Sequence, residues 1–333
     1  MRILIIIFLI IGTGACQNNN YKIVLINGLT MGTTYSIKIK TADAVVNQEK
    51  IRADIEKILL EINQKMSTYI VDSELSVINF SNSLDSNLIS DDLFKVISHA
   101  NTISKTTNGA FDITVGPLVN LWGFGPDKSE NKIPPNEEIE LIKKNIGYKK
   151  IYLNKETTSI KKLHPDLYVD LSGIAKGFAV DKIALYLNSY NLENYLVEIG
   201  GELIAKGTNE DNEVWQIGIE NPNNNLVKII GLKDIAMATS GDYRNYFEKN
   251  GVRYSHTINP NTGKPIKHKL ASVTVLDKTA MNADALATAF MVLGPAKTIE
   301  LANELKIGVY LIIKNDENFY EEYNEYFEPF ISK

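Results

Sequence analysis

The chain contains 333 residues and carries a formal net charge of −5 at pH 7, with 44% hydrophobic and 23% charged residues. This length and composition are typical of one large globular domain, or of two closely packed ones, with a substantial hydrophobic core. The single cysteine excludes an intrachain disulfide bond and a metal site built from several cysteines, and the negative charge with only four arginines argues against a nucleic-acid partner.

The first 15 residues have the pattern of a secretory signal peptide. A short positively charged start precedes an apolar run at 3–11, and small residues then lead directly to Cys16. The apolar run is too short to span a bilayer as a stable helix. Small residues before a cysteine resemble the lipobox of bacterial lipoproteins, although Thr13 stands where a leucine is usual. The alternative is a plain signal peptide cleaved near Ala15, with an incidental cysteine.

We therefore expect a signal peptide at residues 1–15 and a lipidated N-terminal tether at residues 16–27, with Cys16 as the lipidated residue. The folded domain is expected over residues 28–333. Together these features predict an exported lipoprotein that is anchored to the membrane and faces the periplasm or the cell exterior.

Helices are predicted where apolar residues repeat at helical spacing. They cover residues 46–65, 91–105, 134–145, 175–187, 279–293 and 295–305, and a shorter helix follows a turn within 66–79. Strands are predicted where polar and apolar residues alternate, or where a short apolar run ends in turn residues. They cover residues 33–40, 148–153, 159–161, 167–171, 195–199, 202–207, 214–219, 227–231, 235–239, 252–258, 271–275 and 308–313. This order predicts a single compact α+β domain with antiparallel sheets and packed helices.

The segment DLSGIAKGFAVD at 170–181 is the first candidate for a functional site. It predicts a strand that ends in a Ser-Gly turn and leads into a helix. The start of such a helix presents backbone N–H groups to an anion, and Lys176 adds a positive charge. The alternative is an ordinary strand-to-helix connection with a solvated lysine.

A second candidate lies in the predicted helix at 279–293, where Asp284 and Thr288 are four residues apart. This spacing places both side-chain oxygens on one face of the helix. Their neighbours are mostly small and apolar, so a carboxylate there needs a partner, and a hard cation such as Mg²⁺ would suit it. In the alternative, Asp284 caps the helix and Thr288 bonds back to a backbone carbonyl.

A third candidate is His256, which ends a predicted strand just before an Asn-Pro…Gly turn. Side chains in such loops tend to line sites, although a lone histidine is more often a structural hydrogen-bonding group. His99, His164 and His268 have no comparable setting. The chain contains no G-x-G-x-x-G, Walker A, H-E-x-x-H or G-x-S-x-G motif, so nucleotide chemistry would require a less general scaffold.

Eight segments, taken in chain order, carry a resemblance to a known family. They are MGTTYSI (31–37), MSTY (66–69), GAFDIT (109–114), DLSGIAKGFAVD (170–181), VEIGGE (197–202), TSGDYR (239–244), HTINPNTG (256–263) and NADALATAFMVLG (282–294). This succession closely resembles the ApbE-type FAD:protein FMN transferases, from about Gly28 to Val309. The resemblance implies an ApbE-like, T-fold-like domain.

Enzymes of this family bind FAD with Mg²⁺, transfer the FMN moiety to a threonine hydroxyl of a target protein and release AMP. The resemblance therefore implies FAD as substrate, Mg²⁺ as cofactor, and threonine-bearing acceptor proteins such as subunits of membrane redox complexes as partners. Two alternatives remain open. One is an Mg²⁺-dependent FAD pyrophosphatase that yields FMN and AMP, and the other is a periplasmic flavin-binding lipoprotein with little catalysis.

The resemblance also assigns roles to individual residues. The residues that match flavin-nucleotide contacts are Met31, Tyr69, Ala110, Phe111, Asp112, Asp170, Lys176 and Ile258. The metal matches are Asp284, Thr288 and the backbone carbonyl of Gly173, and His256 is the candidate general base, a role that suits a side chain that titrates near neutral pH. Some relatives carry a second Asp at the position of Ala287, so phosphate oxygens and water would complete the metal shell here.

Overall fold

The computed structural model describes residues 21–42, 47–125, 132–220, 226–242, 246–315 and 318–332. The expected signal peptide and Cys16 lie outside these residues. Within the described ranges, no helix combines the length and the apolar character needed to cross a membrane.

The helices follow the predicted pattern closely. Those in the described ranges are α1 (Gln48–Met66), α2 (Glu74–Phe80), α3 (Asp91–Thr106), α4 (Gly116–Leu121), α5 (Asn136–Lys143), α6 (Ala175–Ser189), α7 (Ala280–Leu293) and α8 (Pro295–Leu305), with short 3₁₀ helices at Tyr148–Lys150 and Glu328–Phe330. Helix α1 shows the local cause: Asn47 caps it by accepting a hydrogen bond from the Lys50 N–H, and its buried residues recur every three or four positions. Only α4 has no counterpart among the predicted helices.

The strands are short, and most of them match the predicted ones. They are β1 (Tyr21–Thr30), β2 (Thr33–Ala42), β3 (Asn87–Leu88), β4 (Ile151–Asn154), β5 (Ser159–Lys162), β6 (Tyr195–Ile199), β7 (Glu202–Lys206), β8 (Trp215–Glu220), β9 (Leu226–Leu232), β10 (Ile235–Gly241), β11 (Tyr246–Lys249), β12 (Val252–Ser255), β13 (Ile258–Asn259), β14 (Lys264–Pro265), β15 (Leu270–Asp277), β16 (Gly308–Asn315) and β17 (Asn318–Tyr323).

One large sheet organises the molecule, with the strand order β1-β2-β6-β7-β10-β15-β16-β17. Every neighbouring pair in it is antiparallel. Helices α1, α3, α6 and α7 share the main core with one face of this sheet. The β8–β9 hairpin covers the other face through Trp215 and Ile230. Strand β15 is therefore buried on both faces, and all its residues from Leu270 to Leu276 are buried. The predicted α+β class with antiparallel sheets and packed helices is confirmed.

The strand predicted at 167–171 is wrong. This segment pairs with no strand in the described part of the chain. Instead, the Val169 N–H donates to Asn79 Oδ1 and the Val169 carbonyl accepts from Asn79 Nδ2, each at 2.8 Å. The Asp170 N–H donates to the Ile113 carbonyl at 2.7 Å. A buried side chain thus supplies the hydrogen bonds that a neighbouring strand would otherwise provide.

The folded domain begins earlier than expected. Residues 21–30 form β1, which pairs with β2 along its whole length, so the tether expected at 16–27 is wrong for residues 21–27. The cause is visible in the burial of β1, because Val24 and Ile26 face the core while Leu25 and Asn27 are exposed. This alternation is that of an edge strand with one solvated face.

We expect Asn79→Ala to lower the free energy of unfolding by about 2–4 kcal/mol, because it leaves both the N–H and the carbonyl of buried Val169 without partners. Urea denaturation followed by tryptophan fluorescence measures this change. Asn82→Ala is the matched control, since Asn82 is exposed in the loop after α2. Equal stability of the two variants would contradict the bridging role of Asn79.

Candidate active site

The residues selected from the sequence meet at one end of the large sheet. A cavity of about 580 Å³ opens where β6 turns into β7, beside the first turn of α6 and the inner face of α7. Its lining includes Tyr69, Ala110, Phe111, Asp112, Asp170, Gly173, Lys176, His256, Ile258, Asp284 and Thr288. Met31 lines an adjoining cavity of about 760 Å³, which shares Tyr69, Asp170 and Lys176 with the first. Of the selected residues, only Cys16 has no described position.

Helices α6 and α7 hold each other in place through their first turns. Asp284 Oδ2 on α7 accepts a hydrogen bond of 3.0 Å from the Gly177 N–H on α6. In return, the Asp181 carboxylate on α6 accepts hydrogen bonds from the Ala280 and Met281 N–H groups, at 2.8 and 3.0 Å. Each helix therefore places a carboxylate at the positive end of the other, which stabilises both ends. We call this arrangement the α6–α7 clamp.

Three ionisable side chains lie together in the cavity, where Asp284 and Glu202 are buried and Lys176 is half-buried. Lys176 Nζ lies 3.6 Å from Glu202 Oε1 and 3.4 Å from the Ser172 carbonyl oxygen. Burial raises the pKa of both Asp284 and Glu202, and the Lys176 ammonium opposes this rise. Burial would lower the pKa of Lys176, but the charges of Asp284 and Glu202 raise it overall. Lys176 therefore stays positively charged at neutral pH.

Asp284, Thr288 and Gly173 form a set of hard oxygen donors. An added Cβ at Gly173 would lie 3.0 Å from Thr288 Oγ1, so the glycine lets the backbone before α6 approach α7. A carboxylate, a hydroxyl and a carbonyl suit a cation such as Mg²⁺. Within the described ranges, no group of three or more His, Cys, Asp or Glu side chains could hold a metal ion.

Asp112 organises the loop that carries Ala110 and Phe111 along the cavity wall. Its carboxylate accepts hydrogen bonds from the N–H and hydroxyl of Thr114, at 2.8 and 2.6 Å, and from the Tyr148 N–H at 2.9 Å. Burial raises the pKa of Asp112, while these hydrogen bonds oppose the rise. Both carboxylate oxygens are therefore used inside the protein, and this side chain shapes the wall of the cavity.

His256 lies between two short strands, because the predicted strand at 252–258 divides into β12 and β13. Its half-buried ring meets Phe124 edge-on, with 6.4 Å between ring centroids. The turn that follows is anchored by Trp122, whose Nε1 donates to the Gly263 carbonyl at 2.9 Å. Tyr254 packs between Trp122 and Phe247 on the same side. An aromatic cluster thus fixes the loop that presents His256 to the cavity.

Tyr69 and Met31, which are predicted to contact the flavin nucleotide, both border the cavities in unusual conformations or with unusual exposure. Tyr69 is 73% exposed, although it borders both cavities, so its ring is available to stack on an aromatic ligand. Met31 occupies the two-residue turn between β1 and β2 with a φ of +50°, and Gly32 follows with a φ of +72°. A methionine in this left-handed region carries backbone strain, which is common at ligand sites.

The sequence did not single out several residues that line the cavity. They are Thr68, Val119, Phe124, Gly200, Gly201, Glu202, Thr239 and Ser240, among others. Glu202 is the most informative of them, because it is a buried carboxylate beside Lys176. Its only sequence signal is its place at the end of VEIGGE, where a glutamate after two glycines looks like an exposed turn residue.

Comparison with known proteins identifies the family of this chain. The model of a family described as the ApbE family matches residues 31–312. This chain belongs to the ApbE family. Among its relatives, a protein of Haemophilus influenzae named FAD:protein FMN transferase is 46% identical over 95% of this chain and 93% of its own length. A protein of the same name from Vibrio cholerae is 46% identical over 92% of each chain.

Solved structures of the ApbE family have the same fold. The flavin transferase ApbE from Vibrio cholerae superimposes with a TM-score of 0.87, at 43% identity, over 93% of this chain and 99% of its own. The apo flavinyl transferase ApbE from Pseudomonas stutzeri also reaches a TM-score of 0.87, at 36% identity, over 93% and 97%.

We expect Gly177→Ala to disrupt the α6–α7 clamp, because its Cβ would lie 2.2 Å from the Ala280 carbonyl oxygen. The helices must separate, and the free energy of unfolding should fall by about 1–3 kcal/mol. Thermal and urea denaturation measure this loss. Leu185→Ala, at an exposed position of the same helix, serves as control and should cost less than about 1 kcal/mol. A Gly177→Ala protein as stable as this control would refute the steric argument.

Proposed function

We propose that this chain is an FAD:protein FMN transferase. In this reaction, the phosphorus of the FMN moiety forms a bond to a threonine oxygen of an acceptor protein. The bond from that phosphorus to the bridging pyrophosphate oxygen breaks, and AMP leaves. One observation carries the proposal: residues from separate segments of the chain, matched to FAD contacts, cation ligands and a base, line one cavity. Relatives of that name at 46% identity support it.

The cavities have the size and chemistry that FAD binding requires. Volumes of about 580 and 760 Å³ fall in the range usual for small-molecule sites. Tyr69, which is largely exposed, offers an aromatic face to the isoalloxazine or adenine ring. Lys176 remains positively charged and offers its ammonium to the pyrophosphate.

His256 is the residue we assign as general base. The acceptor threonine must lose its hydroxyl proton as its oxygen attacks phosphorus, and an imidazole that borders the cavity can take that proton. The aromatic packing of Phe124 and of the loop around Trp122 holds the ring in one place. A fixed base is more effective than a mobile one, because the entropy of positioning is lost on folding and not during the reaction.

The donor set of Asp284, Thr288 and the Gly173 carbonyl would hold Mg²⁺. When bound, such an ion neutralises charge on the pyrophosphate and on the leaving phosphate. The chain itself contributes the orientation of these donors, since Gly177 fixes the Asp284 carboxylate. Phosphate oxygens of FAD and water would complete the coordination shell, because this chain has Ala287 where some relatives have a second Asp.

Acceptors are proposed to be threonine-bearing proteins, such as subunits of membrane redox complexes. An exported lipoprotein with Cys16 as its lipidated residue would meet them at the membrane surface. Metabolic labelling with a palmitate analogue tests this location. Label should enter the wild-type chain and be absent from Cys16→Ser, and an unlabelled wild-type chain in the soluble fraction would show the location to be wrong.

Incubation with FAD, Mg²⁺ and a threonine-bearing acceptor domain, followed by mass spectrometry of the acceptor, tests the function. We expect an FMN adduct on the acceptor with release of AMP, and no adduct when EDTA removes the cation. Free FMN without an adduct would identify an FAD pyrophosphatase instead. Intact FAD would identify a flavin-binding protein without catalysis, and either result would overturn the transferase proposal.

The same assay tests His256. We expect His256→Ala to lose transfer by at least about 100-fold, because general-base catalysis contributes about that much or more, while FAD binding is retained. Binding is measured by quenching of flavin fluorescence. His164→Ala is the control, since His164 lies in a polar loop outside both cavities. Full transfer activity in His256→Ala would remove this residue from the mechanism.

A further inference from the structure

Glu202 is a buried carboxylate in the cavity wall for which no role follows from the assignments above. It is the first residue of β7, directly after the Gly200–Gly201 turn, whose φ angles are +60° and +103°. Only 4% of its surface is exposed. Its Oε1 pairs with Lys176, whereas Oε2 has no hydrogen-bond partner among the described residues. A buried carboxylate is costly to retain unless its charge is used.

The carboxylates of Asp284, Glu202 and Asp170 all act on Lys176, and within the described ranges it forms an ion pair only with Glu202. Its Nζ lies 3.6 Å from Glu202 Oε1, and within the described ranges it forms no ion pair with Asp284. Asp284 nevertheless acts strongly on Lys176 through its charge. Asp284 keeps the Gly177 N–H as its hydrogen-bond donor. The Lys176 ammonium therefore lies beside Glu202 and forms no ion pair with the Asp284 carboxylate among the described residues.

We infer that Glu202 is a positioning residue that holds the Lys176 ammonium and so keeps Asp284 available to a divalent cation. The inference rests on the proposed function. Without the Glu202 charge, the carboxylate that acts most on the ammonium is that of Asp284, ahead of Asp170, whose Oδ1 already accepts hydrogen bonds from Ser172. Lys176 would then pair with Asp284 and compete with the cation for the same oxygens. Glu202 would thus leave the Lys176 ammonium available to the pyrophosphate and the Asp284 carboxylate available to the metal.

The test measures binding, and not turnover, as a function of Mg²⁺. FAD binding is followed by flavin fluorescence in the full chain carrying His256→Ala, which blocks transfer. Adding Glu202→Gln should raise the Mg²⁺ concentration for half-maximal binding by at least about tenfold, the equivalent of about 1.4 kcal/mol. Glu198→Gln is the matched control, because Glu198 lies in the same hairpin outside the cavity, and it should leave the Mg²⁺ requirement unchanged.

A second substitution separates positioning from a structural effect. Adding Lys176→Met to Glu202→Gln removes the competing ammonium, so the Mg²⁺ requirement should return to within about threefold of the Lys176→Met reference, even though FAD binds more weakly to both. A general loss of structure would not be reversed in this way. Should Glu202→Gln fail to fold, Glu202→Asp keeps the charge but shortens its reach, and a smaller rise in the Mg²⁺ requirement is expected.

The possible outcomes are distinct. An unchanged Mg²⁺ requirement in folded Glu202→Gln, or in Glu202→Asp where only that variant folds, would overturn the role of Glu202. A rise that persists after Lys176→Met would overturn it as well. Both results are compatible with efficient FMN transfer by the wild-type chain. Failure of the wild-type chain to transfer FMN would instead overturn the proposed function, whatever the Mg²⁺ titrations show.

Discussion

The reciprocal capping of α6 and α7 is the interaction on which the site depends. Asp284 accepts from the first turn of α6 while Asp181 accepts from the first turn of α7, so neither helix can rotate without losing a buried hydrogen bond. Gly177 allows this approach, because any side chain there would collide with the Ala280 carbonyl. The clamp fixes the direction of Lys176, which precedes Gly177, and of Thr288, one turn beyond Asp284. A structural contact thus sets the geometry of a polar cavity.

The charged side chains in this cavity are tolerated because a positive charge, that of Lys176, lies close to the negative ones. Asp284, Glu202 and Lys176 leave one negative charge in excess when all three are ionised. In the proposed reaction, a divalent cation at Asp284 would reverse that excess and favour the pyrophosphate of FAD. Burial is the main cause of the raised pKa values of the two carboxyl groups, and the Lys176 ammonium opposes it. Removal of any one charge therefore affects the other two.

Local patterns in the sequence were sufficient to predict the helices and most strands of the large sheet. They failed where a distant residue supplied the hydrogen bonds, as Asn79 does for Val169, because such a contact leaves no periodic signal. They failed also at β1, because its alternating residues follow directly on a polar run that is typical of a flexible tether. Glu202 was missed for a related reason, since its burial follows from the pairing of β7 with β6 and β10 and not from its neighbours in the chain.

The cavity lies at the end of the sheet that carries two tight turns, and the backbone conformation of these turns suits a ligand site. The β1–β2 and β6–β7 strand pairs are both closed by two-residue turns with positive φ, at Met31-Gly32 and Gly200-Gly201. Glycines adopt this conformation without strain and let a ligand approach the backbone. Methionine does not, and a left-handed non-glycine residue costs about 1 kcal/mol or more. Gly or Asn would form the same turn with less strain, and the Met31 side chain lines the second cavity together with Tyr69.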